Sequence, residues 1–297
     1  MSAAIAIVMP VYNREASVDG AIRSVLAQSF GDFEFLIVDD GSTDRTEAVI
    51  AEFADKRIRY LRQPKNQGGN AARNRGVREA GSPIVCFIDS DDQFLPHKLD
   101  FVVDYFGRNP DVDVLIDSFE LVYPPEKNKA KVLRRNPVLQ SSADVERAIF
   151  SRTIFKATPA VSARRSALIA AGLFDETLKR RQDMDMVLRL ARTARCATTD
   201  QVLWVKHWSP ESISAKQHTF MDAMLEMCRR HPDYLVRPEY RIGLARDLAR
   251  HFVRLFAKGQ FTTAVRDGRR FIGLHGGLAF MKLVMLGTGE MLRRAMK

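Results

Sequence analysis

The chain has 297 residues, 46% of them hydrophobic and 28% charged, a balance that suits a large globular core and excludes intrinsic disorder. Its net charge of +10 is unevenly placed: Arg237 to Lys297 carry 13 Lys and Arg against 4 Asp and Glu, so nine of the ten net charges belong to the tail. Three widely spaced cysteines, Cys86, Cys196 and Cys228, form no Cys-x-x-Cys pair, which excludes a zinc cluster or disulfide framework and fits a reducing compartment.

In chain order, Ile5-Ala6-Ile7-Val8-Met9 reads as a buried strand ending in Pro10-Val11-Tyr12-Asn13. No basic segment precedes it and Pro10 cuts it short, so no signal peptide is expected, and no apolar run of about 18 uncharged residues predicts a spanning helix. Val18, Ala21, Ile22, Val25 and Leu26 follow at helical spacing. Phe33 to Val38 is a second buried strand, running into Asp39-Asp40-Gly41-Ser42-Thr43-Asp44, where Ser42 or Thr43 is placed to cap the next helix. Ile58 to Leu61 is a short third strand, and Asn66-Gln67-Gly68-Gly69-Asn70 turns into a helix carrying Ala71 to Arg75.

The fourth strand, Ile84 to Ile88, runs straight into Asp89-Ser90-Asp91-Asp92. Three carboxylates in four positions repel one another unless something positive joins them. Hard oxygen ligands suit Mg²⁺ or Mn²⁺ carrying a phosphate ester; the same acids could instead cap a helix opening at Pro96. Strands alternating with helices at this spacing predict an α/β fold with a mostly parallel sheet and right-handed crossovers. The carboxyl ends of such strands lie along one edge, so Tyr12-Asn13, Asp39-Asp40 and Asp89-Asp91 are expected to converge. No G-x-x-x-x-G-K-[ST] is present and Gly68-Gly69 belongs to no G-x-G-x-x-G, which sets aside a P-loop and weakens a dinucleotide fold.

Asp113 to Tyr123 reads as a further strand, and the Pro/Lys-rich stretch Pro124 to Lys131 as a loop that either covers a site or is plain surface. Beyond His218 the pattern is helical. Arg246, Arg250, Arg254 and Lys258 fall four apart on one face, with Leu244, Leu248, Phe252, Leu255 and Phe256 on another, and an interrupted apolar run extends from Phe271 to Met291. Basic amphipathic helices with aromatic anchors suit an anionic membrane surface; a dimer interface or a solvated face packed on the catalytic domain are the alternatives. Nucleic acid is not an expected partner, since no recognised module accompanies the charge.

Four motifs have now accumulated in order: Pro10-Val11-Tyr12-Asn13, Asp39-Asp40-Gly41-Ser42-Thr43-Asp44, Gly69-Asn70-Ala71-Ala72-Arg73-Asn74-x-Gly76 and Asp89-Ser90-Asp91. Together they resemble the family-two inverting glycosyltransferases of GT-A fold, firmly over residues 4–115 and more loosely to about 215. The resemblance implies a Rossmann-like sheet flanked by helices, with a nucleotide-sugar-binding half at 1–115, an acceptor half at 116–216 and a basic amphipathic helical appendage at 217–297. By resemblance, Pro10, Tyr12 and Asn13 wall the nucleotide base, with Tyr12 stacking. Asp39 accepts a base imide proton, favouring a UDP-linked donor. Gly69 and Arg73 line the base and phosphates, Asp89 and Ser90 lie nearer the ribose, and Asp91 contacts Mn²⁺ or Mg²⁺.

Gly172-Leu173-Phe174-Asp175-Glu176 resembles the family's glycine–phenylalanine–aspartate segment, followed by Gln182-Asp183-Met184-Asp185 where members carry Glu-Asp. Asp183 is the implied general base, Asp185 its reserve, and Gln182 the departure from the pattern. Two residues apart at a helix start, the two acids cannot share one face, so only one is expected in the cleft; Asp183 could also merely cap the helix Gln182 to Ala194. His207, before Ser212-Ile213-Ser214, resembles the family's His-then-Ser loop and is a second metal contact or a structural residue. Q-x-x-R-W is absent, which points to single transfer. The expectation is thus a metal-dependent, non-processive glycosyltransferase acting on a glycan or lipid-linked acceptor in surface polysaccharide or glycolipid synthesis. It would be cytoplasmic, peripheral on the inner face of the membrane, and open to homo-oligomerisation. A nucleotidyltransferase and a non-catalytic nucleotide-sugar-binding scaffold are the rivals.

Overall fold

The first, second and fourth strands of this computed structural model carry the apolar runs that the sequence marks as buried. The structure describes residues 3–209, 219–276 and 281–286. It divides into two units, Met1–Glu146 with Ile154–Ser212, and Arg147–Thr153 with Ile213–Lys297.

The first unit opens with β1 (Ile5–Val11), α1 (Val18–Leu26), β2 (Phe33–Asp39), α2 (Thr46–Ala51), β3 (Ile58–Arg62), α3 (Gly69–Glu79) and β4 (Ile84–Phe87). These strands lie in the order β3-β2-β1-β4, all parallel. Continuous apolar runs suit β1, β2 and β4, whose side chains are nearly all buried as in a sheet covered on both faces, whereas β3, at the end of the strand order, is only partly buried. Gly76 explains how α3 lies so close: a Cβ there would stand 2.4 Å from Val8 Cγ1, so only glycine fits against β1. Neither Ser42 nor Thr43 caps α2. Asp44 accepts the Thr46 N–H at 3.0 Å instead, and Ser42 is drawn away to the turn after β1.

The unit continues with β5 (Gln93–Phe94), α4 (Lys98–Arg108), β6 (Val114–Val122), β7 (Val132–Arg134), the start of α5 (Ser142–Ser151, which belongs to the second unit from Arg147 on), β8 (Val161–Arg164), α6 (Arg165–Ala170), α7 (Gln182–Thr193) and β9 (Cys196–His207). Here the sheet becomes mixed: β8 runs antiparallel between β4 and β6, β6 pairs in parallel with β9, and β7 and β5 add antiparallel to β6 and β9. The acids after β4 do not cap a helix. α4 begins at Lys98 with His97 at its N-cap, and β5 intervenes. Pro124 to Lys131 is a loop with one 3₁₀ turn, Pro125–Lys127.

The second unit holds α8 (Phe220–Arg230), α9 (Asp233–Val236), α10 (Pro238–Ala257) and α11 (Phe261–His275). Phe150 stacks on Tyr240 with centroids 4.2 Å apart, and Arg152 pairs with Asp247 at 2.7 Å. The buried His251 and Asp267 join α10 to α11 at 2.8 Å. The expected basic face of α10 is corrected at one end and its apolar face at the other. Arg246 is buried, its guanidinium donating to the Ser151 carbonyl, while Phe256 lies exposed. A four-residue repeat drifts around a 3.6-residue helix, so neither face stays whole.

Candidate active site

Adjacent parallel strands bring their carboxyl ends together, and the order β2-β1-β4 does so for three of the polar clusters. Pro10 lies past Val8, the last β1 residue paired with β4, and the Tyr12 ring beyond it is 41% exposed. Asn13 sits at φ 50°, a conformation asparagine tolerates. Its N–H donates to Ser42 Oγ at 3.0 Å and its Oδ1 accepts the Thr43 N–H at 2.8 Å, bracing the turn after β1 against the turn after β2. Asp39 is fully buried; one oxygen accepts the Ser42 N–H at 2.7 Å and the other the Tyr60 hydroxyl at 2.5 Å. Burial, then that bond, raises the Tyr60 pKa. Asp40, also buried, accepts the backbone N–H groups of Gln67 (2.8 Å) and Gly68 (2.7 Å), fixing the turn that launches α3 at Gly69.

From α3, Arg73 donates to Asp89 Oδ1 at 2.7 Å. Asp92 has a fully buried side chain, accepts the His207 N–H at 3.1 Å and stands 3.6 Å from Lys206 Nζ. Burial foremost pushes the Asp92 carboxyl well above its usual range, with Lys206 opposing; burial works against the charged Lys206, yet Asp92, Asp89 and Asp91 hold its pKa raised. Two of the three acids are thereby matched by cations. Ser90 is buried between them.

Asp91 is the remaining acid, with no hydrogen bond or ion pair to another side chain among the described residues. Burial first, then the Asp89 charge, raises its pKa. His207, at the end of β9, has a buried Nε2 with no hydrogen-bond partner. No group of three or more His, Cys, Asp and Glu able to hold a metal occurs among the described residues. An unpaired carboxylate and an orphaned imidazole nitrogen nevertheless suit an ion such as Mg²⁺ or Mn²⁺, which takes few protein ligands and completes its sphere with phosphate oxygens and water. Ser212-Ile213-Ser214 lie outside the described residues.

The segment after α6 is keyed to α3. Asn70 donates to the carbonyls of Asp175 (2.7 Å) and Leu178 (2.9 Å), and Asn74 exchanges two 2.8 Å bonds with the Phe174 backbone. The Phe174 ring meets Phe87 edge-on at 5.3 Å and lies 5.6 Å under the Arg73 guanidinium. Asp185, the reserve acid, is buried and bonded to Arg189 Nε at 2.9 Å, and Arg189 in turn holds the carbonyls of Ala171 and Leu173, so Asp185 is structural. Asp183 is 29% exposed, accepts the Met184 N–H at 2.7 Å and stands 4.0 Å from Lys156 Nζ. Gln182 Oε1 is buried with no partner.

The sequence model described as glycosyl transferase family 2 matches residues 6–168, more than half of the chain. The chain belongs to glycosyl transferase family 2. This family-2 chain is 32% identical over 118 residues to the Escherichia coli UDP-Glc:alpha-D-GlcNAc-diphosphoundecaprenol beta-1,3-glucosyltransferase WfgD, a match covering 40% of the chain and 46% of that relative. It therefore spans about half the length of that protein. It is 28% identical over 272 residues to an uncharacterized glycosyltransferase of Nostoc, covering 86% and 84% of the two chains. Its fold is that of S. aureus TarS 1-349 solved with UDP, at TM-score 0.63 and 21% identity over 96% of this chain and 81% of that one. It is likewise that of the Pyrobaculum calidifontis mannosyltransferase PcManGT solved with GDP-Man and Mn²⁺, at TM-score 0.61 and 18% identity over 98% and 81%. The expected GT-A architecture, an α/β sheet flanked by helices with further helices at the carboxyl end, is the observed one.

Several residues that organise this family-2 site escape sequence reasoning. Tyr60 and Lys206 match no spacing rule, and Lys156 lies 27 positions before the acid it faces. Only the adjacency of Lys206 to His207 could have drawn notice.

Proposed function

We propose that this chain is an inverting, metal-dependent, non-processive glycosyltransferase that moves a sugar from a UDP-linked donor to a hydroxyl acceptor. The observation that carries the reading is the cation-matched acid turn. Arg73 and Lys206 neutralise Asp89 and Asp92, leaving Asp91 and His207 Nε2 without partners at the mouth of the parallel strands. Asp91 and His207 would hold Mn²⁺ or Mg²⁺, which when bound offsets charge developing on the departing diphosphate. Tyr12 offers its exposed ring to the base beside Pro10 and Asn13, and Asp39, already holding Tyr60, accepts the base imide proton on a remaining lone pair. Gly69 and Arg73 border the phosphates, with Asp89 and Ser90 toward the ribose.

Asp183 is the base. Its carboxylate takes the proton of the acceptor hydroxyl, the oxygen bonds to the anomeric carbon, and the bond from that carbon to the diphosphate oxygen breaks on the opposite face, inverting configuration. The test is turnover with UDP-Glc, UDP-GlcNAc and GDP-Man, with and without EDTA, scoring released nucleoside diphosphate and the anomeric configuration of the product. Activity with a UDP sugar, lost on chelation and restored by Mn²⁺, is expected. A retained configuration, pyrophosphate release from a nucleoside triphosphate, or donor binding without turnover overturns the reading.

The acceptor in this reading is a glycan or a lipid-linked sugar of surface polysaccharide synthesis. Support comes from the E. coli relative, whose name specifies a diphosphoundecaprenol-linked acceptor. No helix among the described residues is long and apolar enough to cross a membrane. The reading therefore sets residues 1–216, the catalytic part, at the inner face of the membrane as a peripheral protein, with 217–297 as the helical region that meets it.

A further inference from the structure

α10 ends in a Schellman turn. Gly259 takes φ 66°, the Gln260 N–H reaches back to the Leu255 carbonyl at 2.9 Å, and the chain reverses at once into α11. The turn sets Phe256 and Phe261 beside one another, ring centroids 5.8 Å apart, and both rings face solvent at 53% and 59% exposure. Val253 extends the patch along α10, and Val265 and Ile272 along α11, all exposed. On α11, Phe261, Val265, Arg269 and Ile272 fall within about 80° of one another around a helix of 100° per residue. A groove of about 510 Å³ runs along this face, lined by Phe261, Val265, Arg266, Arg269 and Arg270.

The charges around the patch that have no partner among the described residues are of one sign. Arg250, Arg254, Lys258 and Arg269 are exposed, and their side chains make no hydrogen bond or ion pair among the described residues. Arg266 and Arg270 are occupied by Asp267 and Asp222. Two neighbouring exposed aromatic rings with three exposed aliphatic side chains along the same two helices mark an interaction surface. Its rim decides the partner. A second copy docking through the same patch about a two-fold axis would bring these unpaired cations against themselves. A surface of phosphate headgroups matches every one of them and offers the rings an acyl boundary.

We propose that the α10–α11 hairpin is the face by which the protein docks on an anionic bilayer, with Phe256 and Phe261 entering the headgroup–acyl boundary and Arg250, Arg254, Lys258 and Arg269 on lipid phosphates. This deepens the reading of a membrane-borne acceptor and is independent of the donor chemistry. Residues 277–280 and 287–297, the rest of the basic tail, lie outside the described residues.

The full chain is floated with vesicles of phosphatidylglycerol and phosphatidylcholine, and with phosphatidylcholine alone. Binding to the anionic vesicles only is expected. The F256E/F261E variant, changed only at exposed rings, should lose more than tenfold in partition coefficient. R250Q/R254Q/R269Q should lose about 10²-fold, from about 1 kcal/mol per cation near the surface. Equal partition of wild type and F256E/F261E, or no preference for anionic vesicles, overturns the proposal. So does a lipid-free wild type that sediments as a dimer while F256E/F261E is a monomer. Nucleoside diphosphate release toward a water-soluble acceptor should be unchanged in both variants; absence of that activity in wild type, with flotation intact, strikes the transferase reading alone.

Discussion

The guanidinium of Arg73 donates to the carboxylate of Asp89 at 2.7 Å, across sixteen positions of chain, while lying over the ring of Phe174. One side chain on α3 thus ties the acid turn after β4 to the segment leading toward Asp183. Lysine can supply the charge but neither the planar fork nor the stacking. Arg73→Lys is expected to lower stability by roughly 1.5–3 kcal/mol, the range for a hydrogen bond to a charged group. The urea midpoint checks this, and donor affinity should weaken with it.

Asp183 and Asp185 are separated by burial and not by sequence. Asp183→Asn is expected to lose 10²–10⁴-fold in turnover, the usual contribution of a general base, with UDP affinity unchanged by calorimetry. Asp185→Asn keeps the base but frees Arg189 from the carboxylate that aims it at Ala171 and Leu173. Its principal loss should be in melting temperature.

Lys206→Met leaves the buried Asp92 carboxyl without its cation. Because Lys206 is itself about one-third exposed and the acid can take up a proton, the loss should fall below the roughly 3–5 kcal/mol of a fully buried pair. Lys206→Met combined with Asp92→Asn should recover most of that, since an amide oxygen still accepts the His207 N–H. Chemical denaturation of the two single variants and the pair forms the cycle; a double variant as unstable as Lys206→Met would refute the account.

Acid stability should carry the mark of Asp55. The Arg57 side-chain bonds, against burial and with the Arg57 N–H, hold its carboxyl at about 2. The folded pKa is below the unfolded one, so the contribution is complete above about pH 4 and disappears as pH falls through 2. Asp55→Asn should therefore be less stable than wild type at pH 6, by of the order of 1 kcal/mol for a partly exposed pair, and converge with it near pH 2. Urea midpoints across that range decide the matter.

Gly76→Ala forces a methyl to within 2.4 Å of Val8 Cγ1, and overpacking of this kind costs about 1–3 kcal/mol. Gly31→Ala meets open space and should change the midpoint little. Thermal melts of the two variants compare them directly.

The apolar runs of β1, β2 and β4, and the acid and glycine turns after them, were legible in the sequence because a parallel strand buried on both faces leaves no polar position within it and ends where polarity resumes. The convergence of those turns followed from strand alternation alone. What no local pattern carried was the pairing of acids with cations from distant elements: Asp92 with Lys206 and Asp183 with Lys156. Three neighbouring aspartates look equivalent in sequence. Only the folded chain separates the two that are neutralised from the one left without a side-chain partner, because a charge is spent or kept by what stands within a few ångströms of it. The tail obeyed the same division. Its composition fixed a basic amphipathic region, but packing against Ser151 buried Arg246, and the turn at Gly259 left Phe256 exposed with two rings on one face.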